Sequence, residues 1–216
     1  MSETNDYRGP QGVYSGASQF TAQAFLINQM MNGRNIATLV QIKAVTNSGG
    51  LSPVGFVDVL PLVNQLDGDR NAIPHGVIRG IPYSRMQGGT DAIILDPKVG
   101  DIGMAVFADR DISAVKASKA AANPGSARRS DMADGMYIGG FLNGIPVQYV
   151  QFTPSGINVV SPTAVSITAP AINSTGEWTH TGKLTASTDV IGGGKSLKTH
   201  VHGGVVPGGS NTGAPA

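Results

Sequence analysis

The sequence predicts an all-β protein with an N-terminal OB-fold barrel (the oligosaccharide/oligonucleotide-binding type). An intertwined trimeric β-helix or β-prism with a metal-binding apex follows the barrel. Three observations lead to this prediction. Apolar residues alternate with a period of two between residues 36 and 113. Further along, large apolar residues recur every six positions, at Ile172, Trp178, Leu184 and Val190. Lastly, a His-Val-His triplet at 200–202 lies between glycine-rich stretches.

Composition narrows the class of protein. Only 13% of the 216 residues are charged, against about 25% in an ordinary soluble domain. The net charge of +1 argues against a general nucleic-acid binder, whose affinity depends on clustered Lys and Arg. The absence of cysteine excludes disulfides, thiolate metal sites and a cysteine nucleophile. The polar, acidic start is unlike a signal peptide, and no apolar run reaches the roughly 18 residues of a spanning helix. We therefore expect a soluble protein made in a cytoplasm.

Residues 1–35 are predicted to form an N-terminal arm and a short helix. Helical spacing is visible between residues 20 and 32, and Asn32-Gly33 is a stop signal. The apolar positions that carry it are Phe20, Ala24, Ile27 and Met31. An isolated helix of this length is marginal in water, so we expect it to pack on another surface.

Residues 36–115 are predicted to form the OB-fold barrel, and residues 116–150 a linker and connecting strand. The barrel strands are expected at 38–45, 54–60, 77–81, 92–95 and 103–108, with a polar loop at 64–71. Five strands in about 80 residues fit a small barrel of this type. The Ala-rich, charged stretch 116–135 reads as a linker or partly helical excursion, and a strand resumes at 136–141.

Residues 151–192 are predicted to form a trimeric β-helix shaft. One large apolar residue per six cannot offset the entropy of ordering the chain, at about 1–2 kcal/mol per residue. Three chains wound about one axis could bury those side chains and close their sheet edges on one another. The alternative interpretation is a loose Gly/Ser-rich tail whose spacing is accidental.

Residues 193–216 are predicted to form the apex, with His200 and His202 as metal ligands. Residues i and i+2 of an extended strand point to one face, so three chains would bring six imidazoles to the threefold axis. Six nitrogens suit an octahedral transition metal better than tetrahedral zinc. The alternative is an exposed polar strand. No Asp or Glu follows Asp189, which argues against an iron enzyme with two His ligands and one carboxylate.

No catalytic site is predicted, and we expect no enzyme activity. His75 is expected at the surface, and His180 is expected to be packed or hydrogen-bonded. The acidic residues between the strands are interpreted as turn carboxylates rather than acid/base pairs. They are Asp91, Asp96, Asp101, Asp109 and Asp111.

Several segments resemble the baseplate central spike proteins of contractile-tailed phages, the membrane-piercing tips of the tail. The resemblance rests on Pro97–Gly103, Met136–Phe141, the Lys-Thr-His-Val-His-Gly-Gly segment at 198–204 and the Asn-Thr-Gly-Ala-Pro segment at 211–215. It implies a homotrimer with an OB-fold barrel, a triple-stranded β-helix and a pointed apex. It also implies one iron ion per trimer, held by six imidazoles that here are His200 and His202, and it leaves room for other ions inside the shaft.

The resemblance further implies a virion protein of the tail baseplate. Its partners would be the tail tube and baseplate hub, reached through the N-terminal domain, and the host outer membrane. Two alternatives remain: the tip of a contractile secretion-type machine, and a glycan-binding tail spike. Glycan cleavage is disfavoured because the only shaft carboxylates, Glu177 and Asp189, lie two six-residue repeats apart.

Overall fold

The computed structural model describes residues 10–201 together with Gly204 and Gly208. Strands far outnumber helices in this part of the chain, so the all-β prediction is confirmed. The chain divides into two units, Met1–Val160 and Ser161–Ala216. Among the described residues, no helix has both the length and the apolar character needed to cross a bilayer.

Helix α1 spans Gln19–Asn32, close to the predicted 20–32. Ser18 caps it reciprocally with Thr21: the Thr21 N–H donates to Ser18 Oγ at 3.1 Å, and the Ser18 N–H donates to Thr21 Oγ1 at 2.9 Å. The helix ends at Gly33, as the stop signal predicts. None of its residues is buried, and Phe20 is 79% exposed. The packing surface expected for α1 is therefore not supplied by the described part of this chain.

The first unit contains the following strands, given in chain order. They are β1 (Ala37–Val45), β2 (Phe56–Pro61), β3 (Gln65–Leu66), β4 (Ala72–Ile73), β5 (Ile78–Pro82), β6 (Met86–Gly88), β7 (Asp91–Ile93), β8 (Ile102–Phe107), β9 (Gly135–Gly139), β10 (Tyr149–Thr153) and β11 (Gly156–Val160). Helix α2 (Ser113–Ser118) and a 3-10 turn (Met132–Asp134) lie between β8 and β9. Strands β10 and β11 form an antiparallel hairpin of their own.

A five-stranded antiparallel sheet in the order β5-β2-β1-β8-β9 forms the body of the first unit. The sheet curls until its two edges meet beyond β5. There Tyr83 forms a parallel bridge with Tyr137, and the Ser84 N–H donates to the Tyr137 carbonyl at 2.8 Å. Alternate residues of the strands point inward and form the core. The core residues are Val40, Ile42, Val57, Val59, Ile81, Tyr83, Ala105 and Tyr137.

The prediction of a barrel strand at 92–95 was wrong in its pairing. The chain there forms a local hairpin, β6 with β7, outside the main sheet. A two-residue turn with Gly89 at φ 57° joins these strands, and such turns favour immediate pairing over a long-range partner. The fifth place in the sheet belongs to β9, within the range predicted as linker and connecting strand. The loop predicted at 64–71 contains β3, which pairs with β4 immediately after the loop.

The second unit has little secondary structure in its described residues. Its strands are β12 (Ile191–Gly192) and β13 (Lys195–Ser196), which pair with each other. From 161 to 189, no backbone group is hydrogen-bonded to the backbone of another described residue. The residues at six-residue spacing are all exposed: Ile172 65%, Trp178 81%, Leu184 65% and Val190 41%. A single chain therefore leaves the predicted core of the shaft in solvent.

Candidate metal centre

His200 lies at the end of a short hairpin in the second unit. Strands β12 and β13 are joined by Gly193 and Gly194, at φ 54° and 76°. Both angles lie in the left-handed region, which glycine adopts without a steric penalty, and this pattern is typical of tight hairpin turns. The His200 side chain is exposed. The second predicted ligand, His202, lies outside the described residues, so the structure does not test the pairing of the two imidazoles.

Backbone bonds continue the hairpin toward His200. The Leu197 N–H donates to the Val190 carbonyl at 2.8 Å, one step beyond the last strand pair. The chain then turns, because the His200 N–H donates to the Ser196 carbonyl at 3.1 Å. The Thr199 N–H donates to Ser196 Oγ at 3.0 Å and closes the same turn. His200 is thus presented by a hydrogen-bonded turn rather than by a free tail.

The carboxylate of Asp189 joins the two arms of this hairpin. Its Oδ1 accepts a hydrogen bond from the Val190 N–H at 2.8 Å and another from the Lys198 N–H at 3.1 Å. A hydrogen bond from the Ser196 side chain is the main cause that lowers the pKa of Asp189 below its ordinary value. The backbone N–H groups act in the same direction, while partial desolvation opposes them. Asp189 is therefore ionised at neutral pH and serves as an acceptor for this turn.

The imidazole of His200 is also oriented. Its Nδ1 lies 3.1 Å from the Leu197 carbonyl oxygen. With the proton on Nδ1, the ring donates to that carbonyl and carries its lone pair on Nε2. Ligating histidines commonly hold their second nitrogen in this manner. The His200 side chain therefore fits the role of a metal ligand. Within the described residues of one chain, no three His, Asp, Glu or Cys side chains come together as a metal site.

The remaining histidines take no part in this arrangement. His75, expected at the surface, is half-buried in the first unit. His180 is exposed, so the packing expected beside Trp178 is not seen in one chain.

Two of the predicted turn carboxylates are instead part of buried ion-pair clusters. Asp96 accepts hydrogen bonds from Tyr83 Oη at 2.6 Å, Arg85 Nη2 at 2.6 Å and the Gly49 N–H at 2.9 Å. Burial raises the pKa of Asp96, but these hydrogen bonds outweigh it and hold that pKa below its ordinary value. Asp101 behaves as predicted, since its Oδ2 accepts from the Lys98 N–H at 2.8 Å in a turn.

Asp111 belongs to the second cluster, with Arg128 and Asp134. Its carboxylate accepts from the Ser113 N–H at 2.8 Å and from Ser126 Oγ at 2.7 Å, and its Oδ1 lies 3.1 Å from Arg128 Nη2. Hydrogen bonds from Ser113, followed by Ser126 and the charge of Arg128, lower the pKa of Asp111 to about 2. Spacing in the sequence gives no signal for these pairs, because the partners come from different turns. In both clusters an arginine and hydrogen-bond donors engage the carboxylate oxygens, so we interpret the clusters as structural.

Comparison with known proteins bears on the C-terminal segment. Residues 196–216 match a family model described as the GpV Apex motif, and this span includes both His200 and His202. No curated protein matches the chain. The matched segment begins at Ser196, within the hairpin turn described above, and it supports a spike-tip protein of the phage or secretion-system type.

Proposed function

We propose that this protein is the homotrimeric central spike of a contractile phage tail, which pierces the host outer membrane when the tail contracts. The observation that carries the proposal is the GpV Apex match at 196–216, which directly follows a segment with exposed apolar residues every six positions. The protein acts mechanically, without enzyme activity. A contractile secretion-type machine would use a tip of the same construction, and the neighbouring genes distinguish the two settings.

Exposure in the single chain supports the trimer. The residues from 161 to 189 lack backbone partners among the described residues, and their large apolar side chains face solvent. Ordering such a segment costs about 1–2 kcal/mol per residue, which one chain cannot offset. Three chains about one axis supply the missing backbone partners and bury one apolar side chain per chain per repeat. The Gly176 and Gly182 φ angles, both 118°, repeat at the same six-residue interval.

Sheet topology supports an OB-type barrel in the first unit. Five strands in the order β5-β2-β1-β8-β9, with a parallel bridge between Tyr83 and Tyr137 where the edges meet, suit a partly open five-stranded barrel. Helix α1 adds a large apolar surface next to this barrel in the sequence. A surface of this kind suits docking, and we assign it to the tail tube and baseplate hub.

The apex is proposed to hold one iron ion on the threefold axis through His200 and His202 of each chain. The bound ion would supply a cross-link among three chain ends, which adds to folding stability as metal binding does elsewhere. The Nδ1 contact of His200 with the Leu197 carbonyl supports this role because it orients the ring. Low charge helps the piercing step, since each charge carried into a lipid layer is costly. The charged residues from 151 to 201 are Glu177, Lys183, Asp189, Lys195 and Lys198.

Light scattering on the purified full chain, followed by elemental analysis, tests the proposal. We expect three times the chain mass of 22.1 kDa and one iron ion per three chains. Replacement of both ligands, His200→Ala with His202→Ala, should remove the ion while the barrel stays folded. The exchange His180→Ala, outside the motif, serves as the matched control and should leave the iron in place. A monomer in solution, or full iron content in the double variant, would overturn the proposal.

A further inference from the structure

The least exposed side chains of the second unit are polar. Every described residue from 162 to 201 is exposed except Asp189 and Ser196, which are half-buried. The two residues lie at the base and on the second strand of the β12–β13 hairpin. No apolar side chain of the hairpin is covered to the same degree in one chain. The hairpin is therefore organised around a carboxylate and a hydroxyl rather than around a hydrophobic contact.

We propose that Asp189, together with Ser196, is a positioning residue that preforms the turn from which His200 binds the metal. This inference rests on the proposed metal site and assigns it a supporting pair that lies outside the His-Val-His triplet. Asp189 also lies outside the segment that matches the GpV Apex motif, which begins at Ser196.

The connection from Asp189 to His200 passes through two hydrogen-bonded steps. Asp189 Oδ1 accepts from Val190 and Lys198 and so holds the two arms of the hairpin side by side. Two residues before Lys198, Ser196 begins the turn that holds His200. Its Oγ accepts from the Thr199 N–H, and its carbonyl accepts from the His200 N–H. Displacement of Ser196 would thus release both bonds that close the turn at His200.

The turn needs such a support because of its sequence. Three consecutive glycines, 192–194, make the hairpin loop the most flexible type of connection, and the strands it joins are two residues long. Hydrogen bonds to an ionised acceptor are about twice as strong as neutral ones. A single carboxylate that accepts from both arms therefore limits fraying at the point where His200 must be held.

Asp189 is not itself placed as a metal ligand. Its Oδ1 already accepts hydrogen bonds from two backbone donors, Val190 and Lys198. Its action on the metal passes through the backbone of residues 196–200. Partners that orient ligands in this way typically change metal affinity by about 10- to 100-fold when removed.

The test uses the full-length trimer, reconstituted with ferrous iron without oxygen. Wild type, Asp189→Ala, Asp189→Asn and Ser196→Ala are compared for iron content, rate of iron release to a chelator, and the X-ray absorption spectrum of the bound iron. We expect release from Asp189→Ala to be about 10- to 100-fold faster than from wild type. Asp189→Asn should fall between them, because its amide oxygen can still accept from the Val190 and Lys198 N–H groups. Glu177→Gln, the other shaft carboxylate, is the control and should release iron at the wild-type rate.

The outcomes separate this inference from the proposed function. Wild type without iron, or His200→Ala with full iron, contradicts the metal site itself. If His200→Ala lowers iron content while Asp189→Ala releases iron at the wild-type rate with an unchanged spectrum, only the positioning role is overturned. If Asp189→Ala does not assemble, the milder Asp189→Asn and Ser196→Ala variants decide the question by the same rate and spectrum.

Discussion

Arg128 holds Asp134 through two parallel hydrogen bonds, from Nε to Oδ2 at 2.7 Å and from Nη2 to Oδ1 at 2.9 Å. Asp134 Oδ1 also accepts from the Ile112 N–H at 3.0 Å. The side chain of Asp134 is only 1% exposed, and this residue directly precedes β9 in the chain. This pair therefore holds the long connection after β8 against the start of β9, an edge strand of the five-stranded sheet.

Replacement of Asp134 by Ala should destabilise the barrel. The change removes two hydrogen bonds of the Arg128 guanidinium, which keeps only its contact with Asp111, and leaves the Ile112 N–H without its acceptor. We expect a loss of about 3 kcal/mol in the free energy of unfolding. This value is the low end for a broken buried pair because the Arg128 side chain is 37% exposed. Urea unfolding at one fixed protein concentration measures it. Asp109→Asn is the matched control, since Asp109 forms an exposed pair with Arg110 and should cost well under about 1 kcal/mol. Equal effects of the two variants would contradict the assignment.

Acid should destabilise the barrel through Asp111. Hydrogen bonds, first those from Ser113, lower the pKa of Asp111 in the folded protein to about 2, against 3.8 for an ordinary Asp. A folded pKa below the unfolded one means that the stabilisation is complete above the unfolded value and is lost as the pH falls toward the folded one. Unfolding curves measured from pH 5 down to about pH 2 should therefore show falling stability. The Asp111→Asn variant should have lower stability at neutral pH and a flatter acid limb; an unchanged acid limb would argue against this role.

The hydroxyl of Tyr137 should be dispensable for stability. It is buried and has no hydrogen-bond partner among the described residues. We expect Tyr137→Phe to leave the free energy of unfolding unchanged or to raise it by up to about 1 kcal/mol, because the cost of burying that hydroxyl disappears. Tyr149→Phe, at an exposed position, is the control. A clear loss of stability in Tyr137→Phe would show that the hydroxyl has a partner in the assembled protein.

Alkaline titration gives an independent measurement on the same ring. Burial raises the pKa of Tyr137 to about 12, above its ordinary 10.0. A raised folded pKa favours the neutral phenol, so stability should be full below pH 10.0 and should decline as the pH rises toward the folded value. Burial also raises the pKa of Tyr83, so ultraviolet titration should show more than one late tyrosinate in wild type and one fewer in Tyr137→Phe.

Trp178 should report on assembly of the shaft. It is the only tryptophan of the chain and is 81% exposed in a single copy. In a trimeric shaft it would be buried, so its fluorescence should be blue-shifted and protected from a soluble quencher, and denaturant should reverse both effects. Leu184→Ser removes the next apolar residue of the repeat and should weaken the protection, whereas the neighbouring exchange Thr185→Ser should not. Emission typical of solvent-exposed tryptophan in the native oligomer would exclude Trp178 from the shaft core.

The sequence predicts the regular elements well where one face is buried. Val40 and Ile42, like Val57 and Val59, alternate because they line the core, so β1 and β2 fall within two residues of their expected positions. The prediction at 92–95 was wrong because four consecutive apolar residues resemble a buried strand of the main sheet. The local turn instead pairs this segment with β6. The place of β9 in the sheet depends on its antiparallel pairing with β8 across a long connection, which no local pattern encodes.

At the candidate site, the sequence indicates which residues could bind a metal, but it does not indicate how the hairpin holds His200. The sequence singles out His200 and His202 as a pair between glycine-rich stretches, and the GpV Apex match covers both residues. No motif indicates the hydrogen bond from the Lys198 N–H to Asp189, because it depends on how the hairpin closes. In the same way, Asp96 accepts hydrogen bonds from Arg85 and from the distant Gly49 N–H, and no motif indicates these contacts.

The backbone from 161 to 189 forms no hydrogen bonds with the backbone of other described residues, and this affects the resistance of the chain to proteases. Amides without partners exchange readily with solvent, and peptide bonds in such stretches are open to proteases. In a newly made chain, this segment would therefore be more open to proteases than the first unit until the proposed trimer forms. If the proposed trimer forms, its assembly depends on chain concentration, so we expect the segment 161–189 to be cleaved more readily when the chain is scarce.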